Sequence, residues 1–310
     1  MAIAPTLRRG YRLGGTRQYT LPLWLWLGLT RSLLDGSNRP VEEDAERVLA
    51  AWPRQPVILG QEHIPQTEAM VVIANHYQRR GLWIGFAGGV LAREIRRARP
   101  DRARVHFAVI GDIRVRGRAV PGSGFLLRRV ARAWSMVSLP TDPRAVAGRA
   151  VALRQLFRFA LPAPRGQGEP IVLFPEGAAG STAGLREALP GTGMLLLRLY
   201  RSGTVVVPAA VWESGGTLHA RFGAPWTPDL LSAPTGGALD TWASAAAMRR
   251  IAALLPQRLR GVYSEPLPGN GSGHRAGSNQ RTVAGWARTR STGSPIQAAV
   301  ASASAAHGEG

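Results

Sequence analysis

His76 and Glu176 are the side chains whose types and positions best suit moving a proton in this 310-residue chain. His76 follows Asn75 at the end of an apolar run, Val71-Val72-Ile73-Ala74. Glu176 lies in Phe174-Pro175-Glu176-Gly177, which closes a second run, Ile171-Val172-Leu173. Short apolar runs read as buried strands, so each motif falls where a strand meets its loop. In α/β sheets that edge is where ligands usually bind. A histidine there can take a proton from a hydroxyl near neutral pH. The blander alternative is a ring that fills a hydrogen-bonded niche. About a hundred residues separate the motifs, so only folding can bring them together.

Strands and helices in alternation must do the positioning. Apolar runs recur at Val57–Leu59, Met70–Ala74, Val105–Ile110, Ile171–Phe174 and Thr204–Val207. Helix-like stretches lie near 82–99, 144–160 and 192–202, and Leu239–Leu259 reads as a last helix. Pro40 with Glu42, Glu43 and Asp44 marks a helix start, and Val41, Ala45, Val48, Leu49 and Trp52 keep helical spacing. The alternation predicts an α/β fold, a mixed sheet flanked by helices, with an interfacial helical segment before it. Three parts are expected: a basic N-terminus with membrane-interface helices at 1–52, the α/β domain at 53–265, and a disordered tail at 266–310. The tail is too poor in large apolar residues to fold alone.

Composition excludes several chemistries. There is no cysteine, so disulfides, thiolate catalysis and cysteine-bound zinc are ruled out. All 39 basic residues are arginine, which removes a lysine base or Schiff base. The net charge of +20 implies an anionic partner. Residues 76–165 hold 19 arginines against four acids, Glu94, Asp101, Asp112 and Asp142. Aromatic residues do not alternate with these arginines as a base-stacking surface needs, which disfavours nucleic acid. Anionic membrane lipids, or a phosphate-bearing carrier such as coenzyme A, fit better. A solvated basic face is the plain alternative.

Leu21-Pro22-Leu23-Trp24-Leu25-Trp26-Leu27-Gly28-Leu29 is strongly apolar, extended by Leu33-Leu34. It is shorter than the roughly 20 residues a bilayer span needs. Tryptophans favour the headgroup interface. Arg8, Arg9, Arg12 and Arg17 precede the run. An interfacial anchor is expected, holding the protein peripherally or monotopically at the cytoplasmic face of a membrane. A secretory signal, with Arg8-Arg9 as a twin-arginine hint, is the rival, but no small-x-small cleavage site follows Leu29. A buried packing helix is a third option.

Residues 57–212 resemble the glycerolipid acyltransferase family, which includes the 1-acylglycerol-3-phosphate acyltransferases. Gly60-Gln61-Glu62-His63-Ile64-Pro65 is similar to the family's Gly-x-Glu-Asn-Ile-Pro lead-in. Ala74-Asn75-His76 resembles the start of Asn-His-x-x-x-x-Asp, and Phe174-Pro175-Glu176-Gly177 that of Phe-Pro-Glu-Gly-Thr-Arg-Ser. Val205-Val206-Val207-Pro208 resembles an apolar strand ending in proline. The specificity lies in the order and separation of the blocks. The resemblance implies acyl transfer from a thioester, acyl-coenzyme A or acyl carrier protein, to the hydroxyl of a lysolipid or related lipid. His76 would be the general base, with no acyl-enzyme, no metal and no cofactor beyond the co-substrate. Asn75, Phe174, Pro175, Gly177 and Ser181 would line the substrate site.

The chain also departs from the family pattern. Gly81 stands where the first motif has its aspartate. Losing the orienting carboxylate of a comparable triad costs about 10⁴ in rate. The second motif aligns with Ser135-Met136-Val137-Ser138-Leu139-Pro140 and lacks its arginine, for which Arg128 or Arg144 are candidates. Ala178-Ala179-Gly180-Ser181 replaces Thr-Arg-Ser. Weaker recognition of a phosphate monoester such as lysophosphatidic acid is therefore expected, unless Arg79 and Arg80 supply new anion contacts. Glu176 is the candidate to take over orienting His76. Two readings follow: an acyltransferase with a divergent acceptor, or a degenerate acyltransferase fold that binds lipid as a scaffold.

Overall fold

The computed structural model describes residues 19, 21–79, 81–99, 104–111, 114–115, 118–140, 142, 144–177 and 184–264. The expected tail and the basic residues before Tyr19 lie outside them.

Among the described residues two helices come first, α1 (Leu23–Asp35) and α2 (Val41–Ala50). The domain then runs β1 (Val57–Leu59), β2 (Met70–Ala74), α3 (Ile84–Ala98), β3 (His106–Ile110), a small hairpin of β4 (Arg114–Val115) and β5 (Arg118–Ala119), and α4 (Ser123–Ala133). It continues with β6 (Val137–Leu139), α5 (Val146–Ala160), β7 (Ile171–Leu173), α6 (Thr192–Arg201), β8 (Val205–Ser214), β9 (Thr217–Phe222) and α7 (Ala238–Leu254). The main sheet has the order β1-β9-β8-β2-β7-β3-β6. Neighbours from β8 through β6 are parallel, and β9 turns back antiparallel on β8. This is the mixed, helix-flanked α/β sheet that the alternation predicts.

β2 and β7 are buried on both faces, which is why they read as unbroken apolar runs rather than alternating ones. The α2 pattern holds too: Ala45, Val48, Leu49 and Trp52 are buried. Its early acids do more than face a helix terminus. Asp44 accepts two hydrogen bonds from Arg39 and one from Trp134, and Glu42 pairs with Arg96. Arg97 likewise pairs with Glu46, and buried Arg93 with buried Glu94. Arg96 and Arg97, from the basic block, are thus paired with acids outside it. Among the described residues no helix is long and apolar enough to cross a membrane.

Candidate active site

The sheet register brings the two motifs together. Ile73 lies opposite Leu173, so His76 and Glu176, each three residues further on, leave neighbouring strands side by side. β8 flanks β2 on its other side and continues past its end.

Asn75 exploits that overhang. Its side-chain amide donates to the Val211 carbonyl at 2.9 Å and accepts from the Val211 N–H at 2.8 Å. It is 3% exposed. The side chain extends the ladder where the β2 backbone has stopped. Asn75 is therefore a positioning residue, a correction to its expected place in the substrate-binding set. Asn75→Ala should strip both Val211 groups of their partners inside the core. Each such loss costs about 1–3 kcal/mol, so urea unfolding should show roughly 2–6 kcal/mol less stability. A loss below about 0.5 kcal/mol would contradict this role.

Glu176 is 5% exposed. Its Oε1 accepts the backbone N–H of His76 at 2.7 Å, and Oε2 accepts the backbone N–H of Arg186 at 2.9 Å. The expected carboxylate–imidazole pair is corrected: Glu176 holds the main chain of His76, not its ring. The register explains it, because strands pair about 4.8 Å apart and a side chain rising at 176 meets the amide at 76 first. Burial pushes the Glu176 carboxyl up from its ordinary pKa, against the two amides and the Arg186 charge.

The His76 ring stands edge-on to Phe174, with centroids 5.5 Å apart. Its Nδ1 is enclosed and makes no hydrogen bond among the described residues. Burial lowers the His76 pKa; its own main chain draws it back in part, and the Arg186 charge lowers it further. His106 shows what a structural histidine looks like in this fold. It is buried and stacks on Phe159 at 3.8 Å. Its Nδ1 meets the Ser135 carbonyl at 2.6 Å and its Nε2 the Glu169 carboxylate at 2.7 Å. Among the described residues His76 has no such pair of partners, and it is only half-buried. Gly81, at the family's aspartate position, has φ 81° in the tight turn closed by reciprocal backbone bonds between Arg79 and Leu82. That left-handed conformation favours glycine, so the position serves the turn.

Other expected contacts resolve differently. Arg79 forms a two-pronged ion pair with Glu213 and lies over the Tyr19 ring, so its charge is neutralised rather than offered to substrate. Tyr19 also donates to Glu213 at 3.2 Å. Arg128 is exposed on α4, which packs on β6, three strands from β2, and does not join the His76–Glu176 group. Arg80 and Ser181 lie outside the described residues. Pro175 is buried and its carbonyl accepts the Leu189 N–H at 2.8 Å. Gly177 has φ 69°, and a Cβ there would sit 2.3 Å from Leu189 Cδ1. Phe174 is the aromatic side chain of this motif, and it meets the imidazole edge-on.

Arg186 is the site residue the sequence reading missed. Its backbone binds Glu176, and its Nη2 donates to the Glu176 carbonyl at 3.3 Å. Its side chain is 42% exposed, so a cation stands beside the pair and reaches solvent. It follows Glu176 by ten residues in a loop with no periodic pattern, and only its charge could have marked it. Among the described residues no cluster of histidine and acidic side chains is placed to hold a metal ion.

Fold and site together define an α/β domain that carries a histidine, a buried carboxylate and an arginine at the C-terminal edge of its parallel strands. No family model matches the sequence. No curated protein matches it either. Among solved structures the chain is similar to the 1-acyl-sn-glycerophosphate (LPA) acyltransferase PlsC from Thermotoga maritima, at 15% identity. The match covers 76% of this chain and 88% of that one, with a TM-score of 0.45. A likeness this distant assigns no role to His76, Glu176 or Arg186.

Proposed function

We propose that this protein transfers an acyl group from a thioester, acyl-coenzyme A or acyl carrier protein, to the hydroxyl of a lysolipid or related lipid. The observation that carries this reading is His76: a half-buried imidazole of lowered pKa, at the sheet edge, with its main chain pinned by Glu176. A lowered pKa keeps the ring neutral, and so a competent base, at neutral pH. Nδ1 is enclosed, so the ring works through Nε2. Nε2 takes the hydroxyl proton as the oxygen attacks the thioester carbonyl carbon. The carbonyl electron pair moves onto its oxygen, and the Arg186 cation stabilises that charge. The C–S bond then breaks, and the leaving thiolate takes the proton back from the imidazolium. Supporting a lipid substrate, α1 turns Leu23, Trp26, Leu27 and Leu34 outward while Leu25, Leu29 and Ser32 face the protein. Such a stripe suits peripheral seating on the membrane face that meets the donor.

The enclosed, unpartnered Nδ1 favours a second reading, a lipid-binding scaffold without turnover. Labelled acyl-coenzyme A and acyl carrier protein, offered against a panel of lysolipids, separate the two. Acylated product supports transfer; no product, with intact phospholipid co-purifying, supports the scaffold.

Arg186→Ala tests the cation. Removing one oxyanion donor costs about 10²–10³ in kcat. The same change removes a positive charge that depresses His76, so the acid limb of the pH–rate profile should move to higher pH. Arg186→Lys should restore the limb and part of the rate. An unchanged rate and limb in Arg186→Ala would remove Arg186 from the mechanism.

A further inference from the structure

We propose that the outer face of α4 forms, together with α1, a single docking surface for an anionic lipid bilayer. The inference rests on the membrane seating proposed above and adds an element that the sequence reading leaves out.

α4 half-buries Leu127 and Val130 but turns two other large apolar residues outward. It buries small residues, Ser123, Ala131 and Ala133. It exposes Phe125 at 61% and Leu126 at 52%, beside exposed Arg128, Arg129 and Arg132. Large apolar side chains outward with arginines among them are the signature of a helix lying in a membrane interface. The charges are available. Arg79, Arg93, Arg96 and Arg97 are spent on carboxylates, whereas Arg128, Arg129 and Arg132 meet none among the described residues.

The two helices form one surface. Arg129 Nη1 donates to the Leu33 carbonyl at 2.6 Å, and the same guanidinium lies 5.0 Å from the centre of the Phe125 ring. The Arg39 N–H donates to the Ala133 carbonyl at 2.6 Å. Phe125 therefore adjoins the last turn of α1, where Leu34 is exposed. Leu34, Leu27 and Leu23 carry the patch along α1. Charge selects the partner. A second copy packed about a twofold axis would set these arginines against their own equivalents, which is repulsive. A nucleic acid would leave the leucine stripe unused. Anionic headgroups beneath an acyl layer satisfy both the arginines and the apolar side chains.

The test is sedimentation of the full chain with phosphatidylcholine vesicles, with or without about a third phosphatidylglycerol, at low and high salt. Wild type should bind the anionic vesicles, and salt should weaken binding. Phe125→Glu with Leu126→Glu should lower the partition by roughly tenfold or more, since each loses its transfer into the interface. Both residues are exposed, so circular dichroism should be unchanged. Leu231→Glu, at a position 100% exposed elsewhere on the protein, should bind as wild type. Equal binding by the double variant overturns the proposal, as does an equal loss in Leu231→Glu. So does wild type that ignores both vesicles, whether its α4 variants then break a dimer or release nucleic acid. Vesicle binding and acyl transfer are read separately, so an absence of transfer by wild type that still binds anionic vesicles would sink the catalytic reading and leave this surface standing.

Discussion

His76→Ala is expected to lower acyl transfer by about 10²–10⁴-fold, the contribution a positioned general base makes. That corresponds to roughly 3–5 kcal/mol of barrier. Folding stability should change little, and the reason is geometric. The ring is half-buried, touches Phe174 by its edge, and makes no hydrogen bond through Nδ1 that alanine would forfeit. Truncation even removes an enclosed polar atom that lacks a partner, whose burial costs about 1–3 kcal/mol. His106→Ala should do the reverse. It breaks contacts to Ser135, Glu169 and Phe159, so unfolding should move far more than transfer. The two histidines thus form a matched pair of controls. Equal turnover by His76→Ala and wild type would end the catalytic reading and leave the scaffold.

The parallel strands were legible because burial on both faces removes any competing pattern. Met70–Ala74 reads directly as a strand, and all five residues are buried. β8 was only half legible. Pro208 suggested an end, yet the strand runs on to Ser214, with the Pro208 carbonyl accepting the Gly223 N–H at 2.8 Å. β9 carries its own signal in the sequence. Leu218, Ala220 and Phe222 are buried in alternation, after a Gly215-Gly216 turn with positive φ at both residues. α4 was harder to read for a physical reason, since two of its large apolar residues, Phe125 and Leu126, face outward and periodicity locates a core, not a docking face. A charge count does not display that acids at 42–46 and 213 pair with Arg96, Arg97 and Arg79, which are distant in sequence. At the site the pairing of His76 with Glu176 was legible, but not which atoms meet. Strand register decides that, and sequence does not display register.

Glu176→Gln should therefore slow transfer by about 10²-fold through position alone, the scale on which a misplacement near 1 Å acts. The carboxylate serves two donors at once, the amides of His76 and Arg186. Glutamine has one acceptor oxygen, and its amide nitrogen would face the remaining N–H, donor against donor. One buried N–H loses its partner, so stability should also fall by about 1–3 kcal/mol. Glu176→Ala frees both amides and should be worse on both measures. The pH profile separates this role from that of a ring-orienting carboxylate. Glu176 meets the main chain of His76 and not its ring, and the His76 pKa is lowered by burial and, less, by Arg186. The acid limb should therefore stay in place in Glu176→Gln while the plateau drops. A carboxylate acting on the imidazole would stabilise its protonated form, and removing it would carry the limb to lower pH. A rate loss near 10⁴ with a limb displaced downward would show that the carboxylate works through the ring after all.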